Sequence, residues 1–218
     1  MPSKRFVPRT RRSGYRNPKL IIIASEGTHT EKKYFEDLAV SYAIPNLHVE
    51  VLDRLDSGSD PESVLKALDK FRSQYSLRLN YDELWLVIDV DRWPIKKLSE
   101  VSSLCAQKNY GYAVSNPCFE LWLLLHLKAL DEYPEEILQE FRENRRPNAK
   151  HARTRMELEL VTVLGSYSKS NPDTGQLLGN VPIAIERARA LDINPEYRWP
   201  NDLGTRVYLI AEKIIAKR

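Results

Sequence analysis

The chain has 218 residues, with 33 Lys/Arg against 30 Asp/Glu and 42% apolar residues, which describes a globular chain able to bury a sizeable core and excludes a disordered, collagenous or fibrous one. No apolar run approaches the ~18 residues of a transmembrane helix, so neither secretion nor membrane insertion is expected, and a cytoplasmic location is. The net charge of +3 hides an asymmetry: residues 1–20 hold seven Lys/Arg and no acid, residues 141–155 hold six against one Glu, and the remainder is acidic. An acidic body with two basic patches suits a phosphate-binding protein. Cys105 and Cys118 belong to no CxxC and no Cys/His cluster, which argues against a zinc knuckle or disulfide framework and for a reducing compartment.

In chain order, a basic tail (1–18) precedes KLIIIAS (19–25), a β-branched run that reads as a buried parallel strand. THTEKKYFEDLAVSYA (28–43) reads as a helix, with Thr28 and Glu31 spaced as a capping box. NLHVEVLD (46–53) alternates like a second strand. The next helix has a complete start signal, Asp60 as N-cap and Pro61 in the first turn. DELWLVIDVD (82–91) is the third strand, PIKKLSEVSSLCAQK a helix and YGYAVS (110–115) the fourth strand. NPCFELWLLLHLKAL (116–130) predicts a buried helix with Asn116 as N-cap. This alternation predicts an α/β fold, a doubly wound parallel sheet of about four strands over 19–130. Residues 131–218 read as a helical extension without a convincing strand. It contains the basic segment 142–155 and a turn-rich linker, SYSKSNPDTGQLLGN (166–180), which is expected to be partly mobile.

In open α/β sheets ligands collect beyond the carboxyl ends of the strands, and there the chain places its acids. Glu26 ends the first strand, Asp89 and Asp91 end the third, and Glu120 lies in the first turn of the helix after the fourth. With the first and third strands adjacent, the foremost carboxylates share one crevice, and Asp89 and Asp91, two apart in extended chain, point the same way. Carboxylates so close repel one another unless a cation compensates them. Mg²⁺, with Mn²⁺ as a substitute, suits such oxygen donors and is often completed by substrate phosphate; no Cys/His set favours a softer metal.

SEGTHTEKKYF (25–35), LWLVIDVDRW (84–93) and SNPCFELWLLLH (115–126) together resemble the RloB-like family, whose core is similar to the TOPRIM fold of topoisomerases, primases and OLD-type nucleases. SYSKSNPD and GTRVYLIAEKI sit where that family has its C-terminal features. The resemblance implies Glu26 as a metal ligand or general acid/base, Asp89 and Asp91 as Mg²⁺ ligands, Glu120 as a further acid and Glu31 as the second acid of the first motif. Arg92 and Trp93 stand where a further acid is frequent in the family, which leaves the number of metals open.

Each residue also has a plainer reading. Glu31 would serve the capping box, and Glu120 the helix dipole, typically worth 0.3–1 kcal/mol. His29 reads as an exposed loop histidine, His126 and Trp122 as core, Cys118 as a small buried hydrophobe and Asn116 as a cap. Asp89 and Asp91 resist such readings, because an aspartate ending an apolar strand faces desolvation without a partner. In the basic segment, Arg145, Arg146, Lys150, His151, Arg153 and Arg155 are either a solvated face or phosphate clamps, and Lys169 lies in a loop able to close over the site. The basic tail would add sequence-independent affinity for nucleic acid or dock a protein partner.

The expected function is a Mg²⁺-dependent nuclease acting on RNA or DNA. The resemblance implies bacterial antiphage defence of the abortive-infection type, with an ABC/AAA-like ATPase as partner. The chain itself has no Walker motif, so ATP hydrolysis would have to come from elsewhere. The alternative is a non-catalytic adaptor or regulatory subunit of that ATPase, with the metal site kept for nucleotide or nucleic-acid sensing. A primase-like nucleotidyl transferase is a third, with no nucleotide-specific feature to support it. Monomer and homo-oligomer are both open.

Overall fold

The computed structural model describes residues 18–54, 60–78, 80–148 and 152–216. Its centre is built from the two most apolar runs, β1 (Lys19–Ser25) and β3 (Glu83–Asp89), which are buried along almost their whole length as strands covered on both faces must be. They lie side by side in a five-stranded sheet of order β2-β1-β3-β4-β5, completed by β2 (Leu47–Val51), β4 (Gly111–Asn116) and β5 (Gly204–Thr205). The first four strands are parallel and β5 is antiparallel to β4. The architecture is α/β and mostly parallel, consistent with the TOPRIM-like doubly wound arrangement. Its order reverses between β1 and β3, the position where a crevice opens in such sheets.

Alternation along the strands divides the core into two layers. Ile22, Leu84, Leu86 and Ile88 face α2 (Pro61–Gln74) and α3 (Ile95–Lys108). Ile21, Ile23, Trp85 and Val87 face the larger layer, where α1 (Thr30–Tyr42) and α4 (Phe119–Leu125) share one apolar cluster with later helices. Those are α5 (Glu135–Glu143), α6 (Arg155–Leu164), α7 (Gly175–Leu178), α8 (Val181–Leu191) and α9 (Tyr208–Ile215), contributing Phe141, Met156, Leu177, Ala184 and Ile210 among others. Residue 111 must be glycine for tight strand packing, since a Cβ there would lie 2.3 Å from the Trp85 ring. Among the described residues no helix is long and apolar enough to cross a membrane.

The structure corrects several expectations. Asp60 does cap α2, accepting from the backbone N–H groups of Glu62 and Ser63 at 3.2 and 3.4 Å. The Thr28–Glu31 capping box, in contrast, does not form: α1 begins at Thr30, His29 holds the cap position without a side-chain bond, and Glu31 is buried. Asn116 is not a cap either. It ends β4 and donates from Nδ2 to the Pro200 carbonyl at 3.0 Å, while α4 starts at Phe119 and stops at Leu125. The helix expected over 204–217 is shortened by β5, which pairs Thr205 with Ser115 and leaves their hydroxyls 2.8 Å apart. The 166–180 linker contains α7 and packs Tyr167 and Leu177 into the core.

Candidate active site

The strand ends place four carboxylates around one cavity of about 260 Å³: Glu26 after β1, Glu31 in α1, Asp89 at the end of β3 and Glu120 in α4. Pairing of β1 with β3 runs on to Glu26, whose N–H donates to the Val87 carbonyl at 3.1 Å, so the two neighbouring strands present Glu26 and Asp89 together. Glu31 reaches the same place from the first turn of α1. It lies against Gly27, where even a Cβ would fall 1.6 Å from Glu31 Oε2, so any side chain at residue 27 would push this carboxyl out of the cavity. All four residues are buried.

Asp91 behaves differently from Asp89. The strand ends at Asp89; the Val90 N–H still donates to the Ser115 carbonyl at 3.0 Å and shares the Pro117 carbonyl at 3.1 Å with the Asp91 N–H, and the chain turns at Asp91, so the pair is not continuous extended chain. Asp91 is not among the residues lining the cavity; its side chain is 24% exposed and lies 3.9 Å from Arg92 Nε. Asn144 Nδ2 donates to Asp91 Oδ2 at 2.9 Å. Asn144 is itself fixed as the left-handed cap of α5 (φ 43°), with Oδ1 accepting from the Met156 N–H at 3.1 Å and Nδ2 also reaching Cys118 Sγ at 3.2 Å.

The carboxylates are compensated unequally. Glu26 accepts from Trp93 Nε1 at 2.9 Å and from the Arg92 guanidinium at 3.4 Å. Burial nevertheless raises its pKa, against the lowering effects of Trp93 and Arg92. Glu120 accepts from the Tyr167 hydroxyl at 3.1 Å and pairs with Lys169 Nζ at 2.9 Å. Burial pushes Glu120 up, but Lys169 and a bond from Cys118 outweigh it, and the net shift is downward. Burial pushes Glu31 up to about 7, with the Glu120 and Glu26 charges adding to the rise. The Asp89 carboxylate has no hydrogen bond or ion pair among the described residues, and burial followed by repulsion from Glu31, Glu26, Glu120 and Asp91 holds its pKa well above the usual range.

Lys169 is the central cation. Its ammonium bridges Glu120 and Glu157, at 2.9 and 2.7 Å, and its backbone carbonyl accepts from the Thr30 hydroxyl at 2.9 Å. The loop is further held by Arg153, which donates to the Tyr167 carbonyl at 3.1 Å. The rest of the basic segment is directed elsewhere. Arg155 pairs with Glu140 at 2.6 Å and Glu159 at 3.1 Å, and Arg145, Arg146 and Arg155 line a separate cavity of about 510 Å³. Lys150, His151 and the basic tail through residue 17 lie outside the described residues. His29 is exposed on the cavity rim, and His126 is buried, 3.0 Å from the Tyr34 hydroxyl.

Sequence reasoning missed Arg54, which lines the acidic cavity, and the roles of Arg92, Trp93, Tyr167, Asn144 and Glu157. The Arg92–Trp93 pair was legible only as a departure from a family pattern. The others meet the site across many residues of chain and leave no local signal. Among the described residues no three His, Cys, Asp or Glu side chains are assembled to hold a metal ion in this arrangement, in which Lys169 and Arg92 provide the positive charge. The donor set still fits a hard divalent cation, being oxygen throughout, with Asp89 buried and unpartnered.

No curated protein and no solved structure matches the chain. The family model described as RloB-like protein matches residues 21–214, and the chain therefore belongs to the RloB-like family.

Proposed function

We propose that this crevice hydrolyses phosphodiester bonds of nucleic acid with the help of Mg²⁺, for which Mn²⁺ can substitute. The observation that carries the reading is the convergence of Glu26, Glu31, Asp89 and Glu120 on one cavity, with the Asp89 carboxylate making no hydrogen bond or ion pair among the described residues and feeling Arg92 only at longer range. Asp89, with Glu26 and Glu31 beside it, would hold the ion, and Glu120 would join when Lys169 moves to Glu157 alone; Asp91, steadied by Asn144, would adjust the charge at the edge. A bound divalent ion supplies charge neutralisation at the phosphate and a more acidic water. Glu26, oriented by Trp93 and Arg92, accepts the proton of the attacking water. Lys169, freed from Glu120, would offset charge developing on the phosphate. Arg145 and Arg146, on the separate cavity, with Lys150 and His151, would hold nucleic-acid backbone beyond the crevice, and Arg153 would hold the loop that carries Lys169.

The resemblance that first pointed to the family also supports a setting, cytoplasmic antiphage defence beside an ABC/AAA-like ATPase. A second reading, a non-catalytic adaptor of that ATPase, is favoured by one observation: Lys169 already neutralises Glu120 from within the chain. The test is incubation of the purified protein, alone and with the ATPase, with RNA, tRNA, single-stranded DNA and duplex DNA in Mg²⁺ or Mn²⁺. The hydrolase reading requires cleavage by the parent that Asp89→Ala and Glu26→Ala abolish. Cleavage surviving both substitutions overturns the assignment, and ATPase binding with no cleavage under any condition establishes the adaptor.

A further inference from the structure

Among the described residues three cations reach the acidic cavity, and two of them are spoken for: Arg92 pairs with Glu26, and Lys169 with Glu120 and Glu157. Arg54 is the exception. It has no hydrogen bond or ion pair among the described residues, although its Nε is buried and unsatisfied. Its position is not accidental to a loose loop, because the segment after β2 is tied to β1 by the Leu52 N–H donating to the Ile23 carbonyl at 2.8 Å. The neighbouring acid does not serve it either, since Asp53 is engaged by Lys32.

A buried guanidinium N–H is costly to leave unmade, and a guanidinium beside four carboxylates would be expected to pair with one. That Arg54 pairs with none leaves a planar fork of donors lining the crevice just after β2, with Lys169, from the loop between α6 and α7, lining it beside Glu120 of α4. A tetrahedral oxyanion matches that fork in geometry and charge. We propose that Arg54 anchors a phosphate group of the nucleic-acid substrate, seating its non-bridging oxygens on the β2 side of the crevice. This rests on the hydrolase reading for the identity of the substrate, but the anchoring itself is separable from metal binding.

The experiment measures fluorescence anisotropy of a labelled single-stranded DNA oligonucleotide and its RNA counterpart, with and without Mn²⁺, over a range of salt. Mn²⁺ binding is read separately by electron paramagnetic resonance. Arg54→Ala should weaken oligonucleotide binding about tenfold and lower the salt slope by about 1, with Mn²⁺ binding kept and the thermal midpoint equal to or above the parent's. Arg54→Lys should recover the slope and only part of the affinity, because an ammonium keeps the charge without the fork. Affinity and slope equal to the parent's in Arg54→Ala overturn the proposal, as does a parent that binds neither oligonucleotide. A fallen thermal midpoint in Arg54→Ala also overturns it, by showing the guanidinium to be structural. If the parent binds no Mn²⁺ while Arg54→Ala still loses the oligonucleotide, the metal-dependent reading falls and the anchor stands.

Discussion

Asn144 donates a 2.9 Å hydrogen bond to Asp91 although 53 residues separate them, and through it the turn after α5 is fastened to the end of β3. The bond makes Asn144 a positioning residue for one edge of the acidic site. Asn144→Ala removes it, leaves the Met156 N–H unpaired and puts a Cβ-bearing residue without a side-chain acceptor at φ 43°. The expected loss is about 1–3 kcal/mol in a denaturant titration. Asn144→Gly relieves the backbone part alone, so Mn²⁺ affinity should fall alike in both variants while stability falls further in the alanine. Equal midpoints in parent and Asn144→Ala would remove the role assigned to this side chain.

Glu31 makes the protein without metal sensitive to pH. Its carboxyl is raised from an ordinary 4.5 to about 7, first by burial and then by the neighbouring Glu120 and Glu26 charges. Between those values the folded state binds more protons than the unfolded one, so stability falls as pH rises through the window, by on the order of 3 kcal/mol at most. Glu120 contributes with the opposite sign: its lowered pKa favours the folded state above the unfolded value and is lost only in more acid solution. Glu31→Gln should make the midpoint-against-pH curve shallower between about 4.5 and 7, leaving the part of the slope that the raised Glu26 and Asp89 carboxyls contribute. A parent curve already flat there would show that Glu31 titrates normally.

Lys169 competes with any metal for Glu120, its ammonium being 2.9 Å away with a side chain 43% exposed. Lys169→Met should therefore tighten Mn²⁺ binding by roughly fivefold, equivalent to ~1 kcal/mol of relieved competition, while lowering cleavage. Calorimetric titration with Mn²⁺ checks the first half and an oligonucleotide assay the second. Weaker Mn²⁺ binding in the variant would mean that the lysine builds the site instead of occupying it.

Arg206 and Asp192 form the best-buried ion pair outside the site, with two nitrogens at 2.9 Å from the two carboxylate oxygens and side chains only 8% and 3% exposed. Arg206 also donates to the carbonyls of Tyr197 and Asn194, and Tyr208 donates to Asp192. Asp192→Ala strands that guanidinium and should cost about 3–5 kcal/mol, read as a lowered denaturation midpoint with oligonucleotide affinity kept in the folded fraction.

What the chain discloses before folding depends on how local each signal is. β1 and β3 were legible because buried parallel strands need continuous β-branched runs, and α2 because Asp60 and Pro61 start a helix by contacts within one turn. Glu26, Asp89 and Glu120 followed from the rule that open sheets gather ligands at their carboxyl ends. At Glu31 two readings stayed open, since the spacing of a capping box is indistinguishable in sequence from a carboxylate turned toward Gly27, and only the capping box fails to form. For Asp91 only the extended alignment with Asp89 does not carry over, because the strand ends at Asp89 and the chain turns at Asp91. β5 is two residues long and pairs only through Ser115 and Asn116, too short for any periodicity. Arg54, Tyr167 and Glu157 reach the cavity or its lysine only through tertiary packing.

Asp89 gives the sharpest separation between charge compensation and packing. Buried, repelled by four acids and unpartnered among the described residues, its carboxylate destabilises the fold when ionised. Asp89→Asn keeps the volume and removes the charge, so without metal it should melt above the parent at neutral pH. Mn²⁺ at about a hundred times its Kd should stabilise the parent by ~2.7 kcal/mol and the variant by far less, reversing their order. Thermal melts of both proteins with and without Mn²⁺ give all four values. A variant that melts below the parent without metal would mean that the carboxylate has a stabilising partner. An equal response of the two to Mn²⁺ would place the ion away from Asp89. The crossing of the two proteins' stabilities on adding metal is the signature expected of a carboxylate whose charge is compensated by a bound cation.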